Sequence, residues 1–303
     1  MHKASDAEAR WRIPSPRAIQ GSLGTIADTP QFSLAHLTLL HCSTPELTEI
    51  AASAGYDYVS YRLIPLGLEG EPVHPVATDR TLFKRTRAAL RATGLRLLDV
   101  ELVRIHPDVD LRAYLPAFEC AAELGARHIL TSVWCEDSEF ARDRLAELCE
   151  LTAPLGLTID LEFVSFAGVA TLAQAVEMLR ACPFPNAGLC VDTLHFDRAG
   201  TAVAALDGLP AAWFHYAQIC DAPAHRSGDD DYARQIAREG RLFPGHGTID
   251  VRGILAHMPP MPYSIELPNV KLLAQLGPRE FARRCLLSAR EHLAERAPRP
   301  TNA

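Results

Sequence analysis

LTIDLEF, residues 157–163, is a short and almost wholly apolar run that reaches a carboxylate at Glu162. Three later runs share that form: AGLCVDT (187–193) reaches Asp192, AWFHYAQI (212–219) reaches Gln218 and MPYSIEL (261–267) reaches Glu266. Runs of this length and composition read as buried β-strands. In a parallel barrel the C-terminal strand ends converge on one mouth, so side chains from different strands can meet around one ion. Each residue taken alone reads equally well as a loop residue just past its strand. Four in succession are harder to explain that way, because a buried strand end disfavours a carboxylate unless a cation or hydrogen bonds compensate its desolvation.

Outward from these runs, strand-like and helix-like segments alternate. FSLAHLTLL (32–40), YDYVSYRLI (56–64), LRLLDVELV (95–103) and RHILTSVW (127–134) read as four earlier strands. TPELTEIAASAG (44–55) reads as a helix with Thr44 as N-cap and Gly55 as its stop. TLFKRTRAALRATG, DLRAYLPAFECAAELG, SEFARDRLAELCELTAPLG, TLAQAVEMLRAC and AVAALDGL supply further connections, and PREFARRCLLSAREHLAERA closes the chain as a helix. Eight βα units in roughly 250 residues match a single-domain (β/α)8 barrel. A doubly wound sheet would more often carry a glycine-rich turn after its first strand, and none is present. The barrel is expected over residues 31–298, with residues 1–30, broken by Pro14, Pro16 and Pro30, as an N-terminal extension and 299–303 as a tail. DAPAHRSGDDDYARQIAREGRLFPGHGTID (221–250) reads as an unusually long loop, of the kind that forms substrate lids.

The 303 residues are 48% hydrophobic and 22% charged, with a formal net charge of −7. That balance argues against neutralising nucleic-acid phosphates or lying on anionic lipid, so a small-molecule partner is expected. Homo-oligomerisation stays open. Eight cysteines show no C-x-x-C pair and suit reduced thiols in a cytoplasm. No run has transmembrane length, and the N-terminus lacks the apolar core of a signal peptide.

Side chains alternate along a strand, so placing Glu162, Asp192, Gln218 and Glu266 inward also turns Asp160, Cys190, Tyr216 and Ser264 inward. Asp160 then either pairs with a basic group or lines water. His215 faces outward by the same parity. An all-oxygen set of three carboxylates and an amide favours one hard divalent ion, Mg²⁺ or Mn²⁺, over Zn²⁺ or Co²⁺. Three acids exceed one dication by a unit of charge, which a protonated acid or a nearby arginine would balance. Arg62, Glu101 and Arg104 end the second and third strands and reach the mouth, as ion-pair partners with Asp99 or Glu101, or as substrate contacts.

GYDYVSYRLIP, LLDVELVRI, AAELGARHIL, LEF, VDTLHFDRAGT, YAQICDAP, EGRLFPGHGTID and SIELP, in that order and spacing, resemble the xylose-isomerase-like TIM-barrel superfamily, the sugar phosphate isomerase/epimerase group. The resemblance runs from Phe32 to the final helix. It implies metal ligands at Glu162, Asp192 and Glu266, with the fourth at Gln218, where many relatives carry His and a subset including some dehydroshikimate dehydratases does not. In DTLH it implies a substrate-binding or acid/base role for His195, and it turns Arg241 on the lid toward a substrate carboxylate or phosphate. Arg62 and Glu101 join the expected substrate contacts. His225 and His246 carry no expected role.

The function so implied is a metal-dependent isomerase or epimerase of a sugar, keto-polyol or sugar phosphate. Glu162 and Glu266 would move a proton beside a carbonyl. Expulsion of a β-hydroxyl, with His195 as acid, would instead make it a dehydratase of the dehydroshikimate or inosose type. A non-catalytic sugar-binding barrel is the remaining alternative. The apurinic endonucleases of the same fold need additional histidines that this chain lacks.

Overall fold

The computed structural model describes residues 30–224 and 229–294. Residues 1–29 of the expected extension, His225 and the tail 299–303 lie outside them. Eight parallel strands close a barrel in sequence order: β1 (Phe32–Leu34), β2 (Tyr58–Arg62), β3 (Arg96–Ile105), β4 (His128–Val133), β5 (Thr158–Glu162), β6 (Ala187–Asp192), β7 (Ala217–Ile219) and β8 (Tyr263–Ile265). β8 pairs with β1 to complete the ring. Around it run α1 (Thr44–Ala54), α2 (Arg80–Thr93), α3 (Leu115–Leu124), α4 (Ser138–Thr152), α5 (Leu172–Ala181), α6 (Thr193–Arg198), α7 (Asp230–Glu239), α8 (Val251–Ala256) and α9 (Val270–Ala294). α9 is interrupted at Gly277, whose φ of 72° is left-handed, just before Pro278. Glycine takes that conformation without the Cβ clash that other residues meet.

The local rules mostly hold. Asp79 and Asp137 cap α2 and α4 by accepting two backbone N–H bonds each, and Thr171 with Gln174 forms a full capping box at α5. Four elements differ from the expectation. FSLAHLTLL is a strand only over its first three residues and then winds into a 3-10 turn at His36–Leu39. There the His36 ring is held by the Cys42 carbonyl and the Arg62 backbone N–H, a tertiary tie that no local pattern reveals. The residue in the N-cap position of α1 is Ser43, while the Thr44 hydroxyl is buried against that of Thr86. AVAALDGL contributes only a 3-10 turn at Val203–Leu206, and the helix after β6 begins at once, with Asp192 as its cap. Finally, the long segment after β7 is not an open loop: it contains α7, capped by Asp229, and is followed by α8, capped by Asp250.

Register places the site. Ser132, Glu162 and Cys190 share one rung across β4, β5 and β6, and Asp192, Gln218 and Ser264 share another across β6, β7 and β8. Side chains on one rung of a parallel sheet point the same way. The main core lies between barrel and helices, where fully burying each Leu, Ile or Phe contributes roughly 1.5–3 kcal/mol. A separate small cluster of Leu98, Leu102, Leu130, Cys190 and Tyr216 occupies the other face of the strands, as the parity argument requires of Cys190 and Tyr216. The rest of that face is polar, with Ser33, Ser60, Asp99, Asp160 and Ser264 all buried. All eight cysteines are free, and no helix among the described residues is long and apolar enough to cross a membrane.

Candidate metal and substrate site

Glu162 ends β5 and Asp192 ends β6, and at the mouth above them lies a cavity of about 310 Å³. Its wall includes Glu162, His195, Arg241, Glu266, Arg62, Arg104, Trp134 and Phe166. Asp192 does two jobs. Its Oδ1 accepts the Leu194 N–H at 2.7 Å, starting α6, and its Oδ2 accepts from Arg241 Nη1 at 2.6 Å. Because α6 starts there, His195 falls in its first turn, beside Asp192. Ligating atoms of Glu162, Asp192 and His195 all lie within 4.8 Å of one another. Ser165 meets His195 Nδ1 through its backbone N–H at 3.4 Å and its hydroxyl at 3.3 Å, and Phe166 packs edge-on against the ring.

Arg241 is the electrostatic centre of the group. It is 2% exposed, with Nη1 on Asp192 and Nη2 2.8 Å from Glu266 Oε2, and its Nε donates to the Ala237 carbonyl. Gln218 lies beneath and donates its amide Nε2 to Glu266 Oε1 at 3.0 Å, with its Oε1 turned to the Cys190 thiol. In this arrangement the amide oxygen does not face the acids. A half-turn of the carboxamide would bring it round.

Charge follows from burial. Desolvation, reinforced by Asp192 and Glu266, holds the Glu162 carboxyl well above the usual carboxylate range. Desolvation likewise pushes Glu266 up to about 8, with Arg241 opposing and Glu101 and Asp192 adding to the rise. Burial would also raise Asp192, but Arg241 and His195 outweigh it and hold this carboxyl below its usual value. Burial lowers His195 to about 4, against the pull of Asp192, so the imidazole is neutral at neutral pH.

These residues fit a dication. Glu162 accepts no side-chain or backbone hydrogen bond among the described residues, so a buried carboxylate lacks a partner. Arg241 holds Asp192 as an anion, while burial favours a proton on Glu162 and on Glu266, and a dication in place of those protons would let all three carboxylates ionise in the desolvated pocket. Buried charges of that kind are costly unless paired.

Arg62 is not free to clamp a ligand. Its Nε and Nη2 meet Glu101 Oε2 at 3.1 and 2.9 Å, and its Nη1 meets Glu71 at 3.2 Å, all buried. The ion-pair reading of Arg62 and Glu101 is the one the geometry supports, with Glu101 as the partner and Asp99 bonded to Ser60 instead. Arg241, too, is turned to barrel carboxylates as well as to the cavity. Asp160 pairs with His215 at 2.6 Å, the first of the two readings left open for it, and this places His215 against that carboxylate rather than simply outward. His246 is exposed and packs on Phe243.

The sequence reading missed Trp134, Phe166 and Glu71. Trp134 donates its Nε1–H to Ser132 at 2.8 Å and carries the Arg104 guanidinium 4.1 Å above its ring. It directly follows β4, and that position was the available signal. Asp221 was missed as well. Its buried carboxylate accepts the N–H groups of Ala222, Gly245, Gly247 and Ile249, which staples the PGHG turn to the end of β7 and so seats Arg241. A Cβ at Gly247 would fall 2.2 Å from the Ala222 carbonyl oxygen, so that turn needs glycine.

A closed eight-stranded parallel barrel with buried acids at one mouth defines a class of α/β barrel with an enzyme-like site. Residues 48–287 match the family of xylose isomerase-like TIM barrels, and the chain belongs to that family. Inosose isomerase of Bacillus velezensis is 25% identical over 231 residues, which cover 71% of this chain and 78% of that enzyme. A 3-dehydroshikimate dehydratase of Pseudomonas aeruginosa is 30% identical over 115 residues, 38% of this chain and 18% of that protein. Among solved structures, the IOLI protein with a bound zinc atom aligns with a TM-score of 0.73 at 19% identity, over 88% of this chain and 98% of that one. That last likeness concerns the fold.

Proposed function

We propose that the protein is a divalent-metal-dependent isomerase or epimerase that moves a proton beside the carbonyl of a carbohydrate-like substrate. The observation that carries this reading is the pair Glu162 and Glu266, two carboxyls buried on one cavity, both with proton affinity raised above the usual carboxylate range by burial, Glu266 to about 8. A general base or acid works best when its pKa lies near the working pH. Glu162, Asp192 and Glu266 would hold the ion, with His195 or a rotated Gln218 completing the set, and Mg²⁺ or Mn²⁺ suits the oxygen donors. When bound, the dication supplies Lewis-acid polarisation of the substrate carbonyl. Glu162 and Glu266 then take and return the carbon-bound proton. Where Gln218 completes the set, neutral His195, anchored by Ser165, is placed to hold a substrate hydroxyl. Trp134 and Phe166 supply apolar walls against which a sugar ring face can pack and water is excluded. The kinship with an inosose isomerase supports the same reaction class.

Dehydration is the second reading, and one observation favours it. Arg104 stacks on Trp134 at the cavity wall, and its buried Nε has no hydrogen-bond partner. Burial, with Arg238 and Arg62 nearby, brings its pKa down to about 10, so it remains charged. A substrate carboxylate would satisfy it. Incubation of the Mg²⁺- or Mn²⁺-loaded protein with ketoses, inososes and dehydroshikimate in D₂O tests both readings. Deuterium in recovered or isomerised substrate supports the first, and an unsaturated product from the carboxylate substrate supports the second. Arg104→Met should then raise KM for the carboxylate substrate about 10-fold or more and leave neutral substrates little changed. No exchange and no product with any of them would remove the catalytic reading in favour of a binding barrel.

A further inference from the structure

The opposite mouth of the barrel holds a second convergence of metal-ligating groups. His128 opens β4, Asp160 lies two residues past the start of β5, and His215 precedes β7. Their ligating atoms all lie within 4.8 Å of one another. His215 Nδ1 is 2.6 Å and His128 Nδ1 3.6 Å from the two oxygens of the one Asp160 carboxylate. The two imidazoles stack with centroids 5.1 Å apart and planes 15° from parallel.

From these positions we propose that His128, Asp160 and His215 form a binding site for a borderline divalent ion of the zinc type, separate from the acids at the C-terminal mouth. Two imidazoles and one carboxylate are a donor set that zinc accepts, with water in the fourth position. Bonds of about 2.0–2.1 Å around a tetrahedral ion put neighbouring ligand atoms about 3.3 Å apart. The 2.6 and 3.6 Å contacts run to the two different oxygens of Asp160, and with all three ligating atoms within 4.8 Å of one another, side-chain rotations would bring one oxygen and both nitrogens to that spacing. An outer partner is in place for the carboxylate: the Thr158 hydroxyl donates to Asp160 Oδ2 at 2.7 Å, while its 2.7 Å contact with His128 Nδ1 is the one that nitrogen would give up to ligate an ion. Room has been left on the third side. Residue 188 of β6 is glycine, and a Cβ there would come within 2.6 Å of Asp160 Oδ1 and the His215 ring.

The site is reachable from solvent. Asp160 is buried, but His128 and His215 are 12% and 21% exposed and line a cavity of about 570 Å³ at that end. An ion there would tie β4, β5 and the lead-in to β7 together, on the barrel face where sequence serves stability rather than chemistry.

Zinc titration of the EDTA-stripped full chain, followed by calorimetry, tests this alongside His128→Gln, His215→Gln and, for the other mouth, Glu162→Gln. The expected result is a zinc-binding event whose affinity falls at least about 10-fold in each His variant, since even loss of an outer partner costs that much, while Glu162→Gln leaves it intact. Zinc should raise Tm in the wild type and less in the His variants. Because a substitution could disturb the strand ends, wild-type crystals with equimolar zinc supply the independent check. Anomalous density among His128, Asp160 and His215 supports the site. Density only at Glu162 and Asp192, or zinc affinity unchanged in both His variants, overturns it without touching the reading of the upper mouth.

Discussion

The Arg241 guanidinium stands 2.6 Å from the Asp192 carboxylate, so a residue carried by the segment after β7 is locked onto the end of β6. Both are almost fully buried, and the same guanidinium reaches Glu266 on the far side. Arg241 therefore supplies the positive charge that three neighbouring acids require. Its absence would leave them to be neutralised by protons or by a metal ion. Removing one partner of a buried ion pair typically costs about 3–5 kcal/mol. Arg241→Met should destabilise the metal-free protein by roughly that amount in urea unfolding, and Mg²⁺ or Mn²⁺ should restore more stability to the variant than to the wild type. An unchanged midpoint would show that the acids are already protonated and that Arg241 compensates nothing.

Asp221 is predicted to matter for stability more than its place outside the acid cluster suggests. Four backbone N–H groups converge on its carboxylate, and Asp221→Ala would leave the two on buried residues, Ala222 and Ile249, without this acceptor, at about 1–3 kcal/mol for each group left unsatisfied. The variant should lose at least about 2 kcal/mol and show faster amide exchange confined to residues 242–249. Asp221→Asn keeps one acceptor oxygen and should fall between the two. Equal stability of all three would mean that the PGHG turn is held by other contacts.

Acid should destabilise the fold through His36. Its Nε2 meets the Cys42 carbonyl and its Nδ1 accepts the Arg62 N–H, an arrangement that only the neutral ring can make. Burial, with the His74 charge adding, lowers its pKa to about 3. The unfolded chain therefore binds this proton between about pH 6.5 and 3 while the folded one does not, so stability falls as pH drops through that window. The full effect is on the order of 3–5 kcal/mol. His36→Gln should flatten the pH dependence of the unfolding midpoint across pH 6.5–4. An identical slope in the variant would assign the acid sensitivity elsewhere.

What the sequence showed and what it hid follow one physical division. Glu162, Asp192, Gln218 and Glu266 were legible as strand ends because an apolar run punctuated by a polar residue is a local signal, and the barrel topology then brings the ends together. Strand parity also placed Cys190 and Tyr216 on the inner face. The first strand was overread because His36–Leu39 is set by bonds to residues 42 and 62, and α8 was not recognised after its Asp250 cap. Arg241 was recognised as important, but its inward lock depends on Asp221 and on the Asn269 amide that holds its carbonyl, contacts distant in sequence. Pairing of Arg62 with Glu101 was weighed from their strand positions, whereas Glu71 enters from a loop with no periodicity to announce it. Gln218 shows the limit most sharply: position gave the residue, but only the Glu266 contact shows which end of its amide faces the acids.

The proton-carrying role proposed for Glu162 and Glu266 yields the sharpest test of function. Both are buried beside the same cavity and both have raised proton affinity, so each could hold the transferred proton, whereas Asp192 is fixed as an anion by Arg241. Replacing each glutamate by glutamine keeps an oxygen that can face an ion and keeps the side-chain volume, but removes the base. Solvent-deuterium exchange should therefore fall by about 100-fold or more in Glu162→Gln or Glu266→Gln. Divalent-ion affinity, measured by calorimetry on the same variants, should fall less than the exchange rate does. The split separates chemistry from ligation, because a residue that only bound the ion would lose both in step and recover exchange at saturating metal. Exchange at the wild-type rate in one variant clears that glutamate of the role. Wild-type exchange in both would remove the carboxylate base altogether and leave His195, neutral at neutral pH and within ligating distance of Glu162 and Asp192, as the group to replace next.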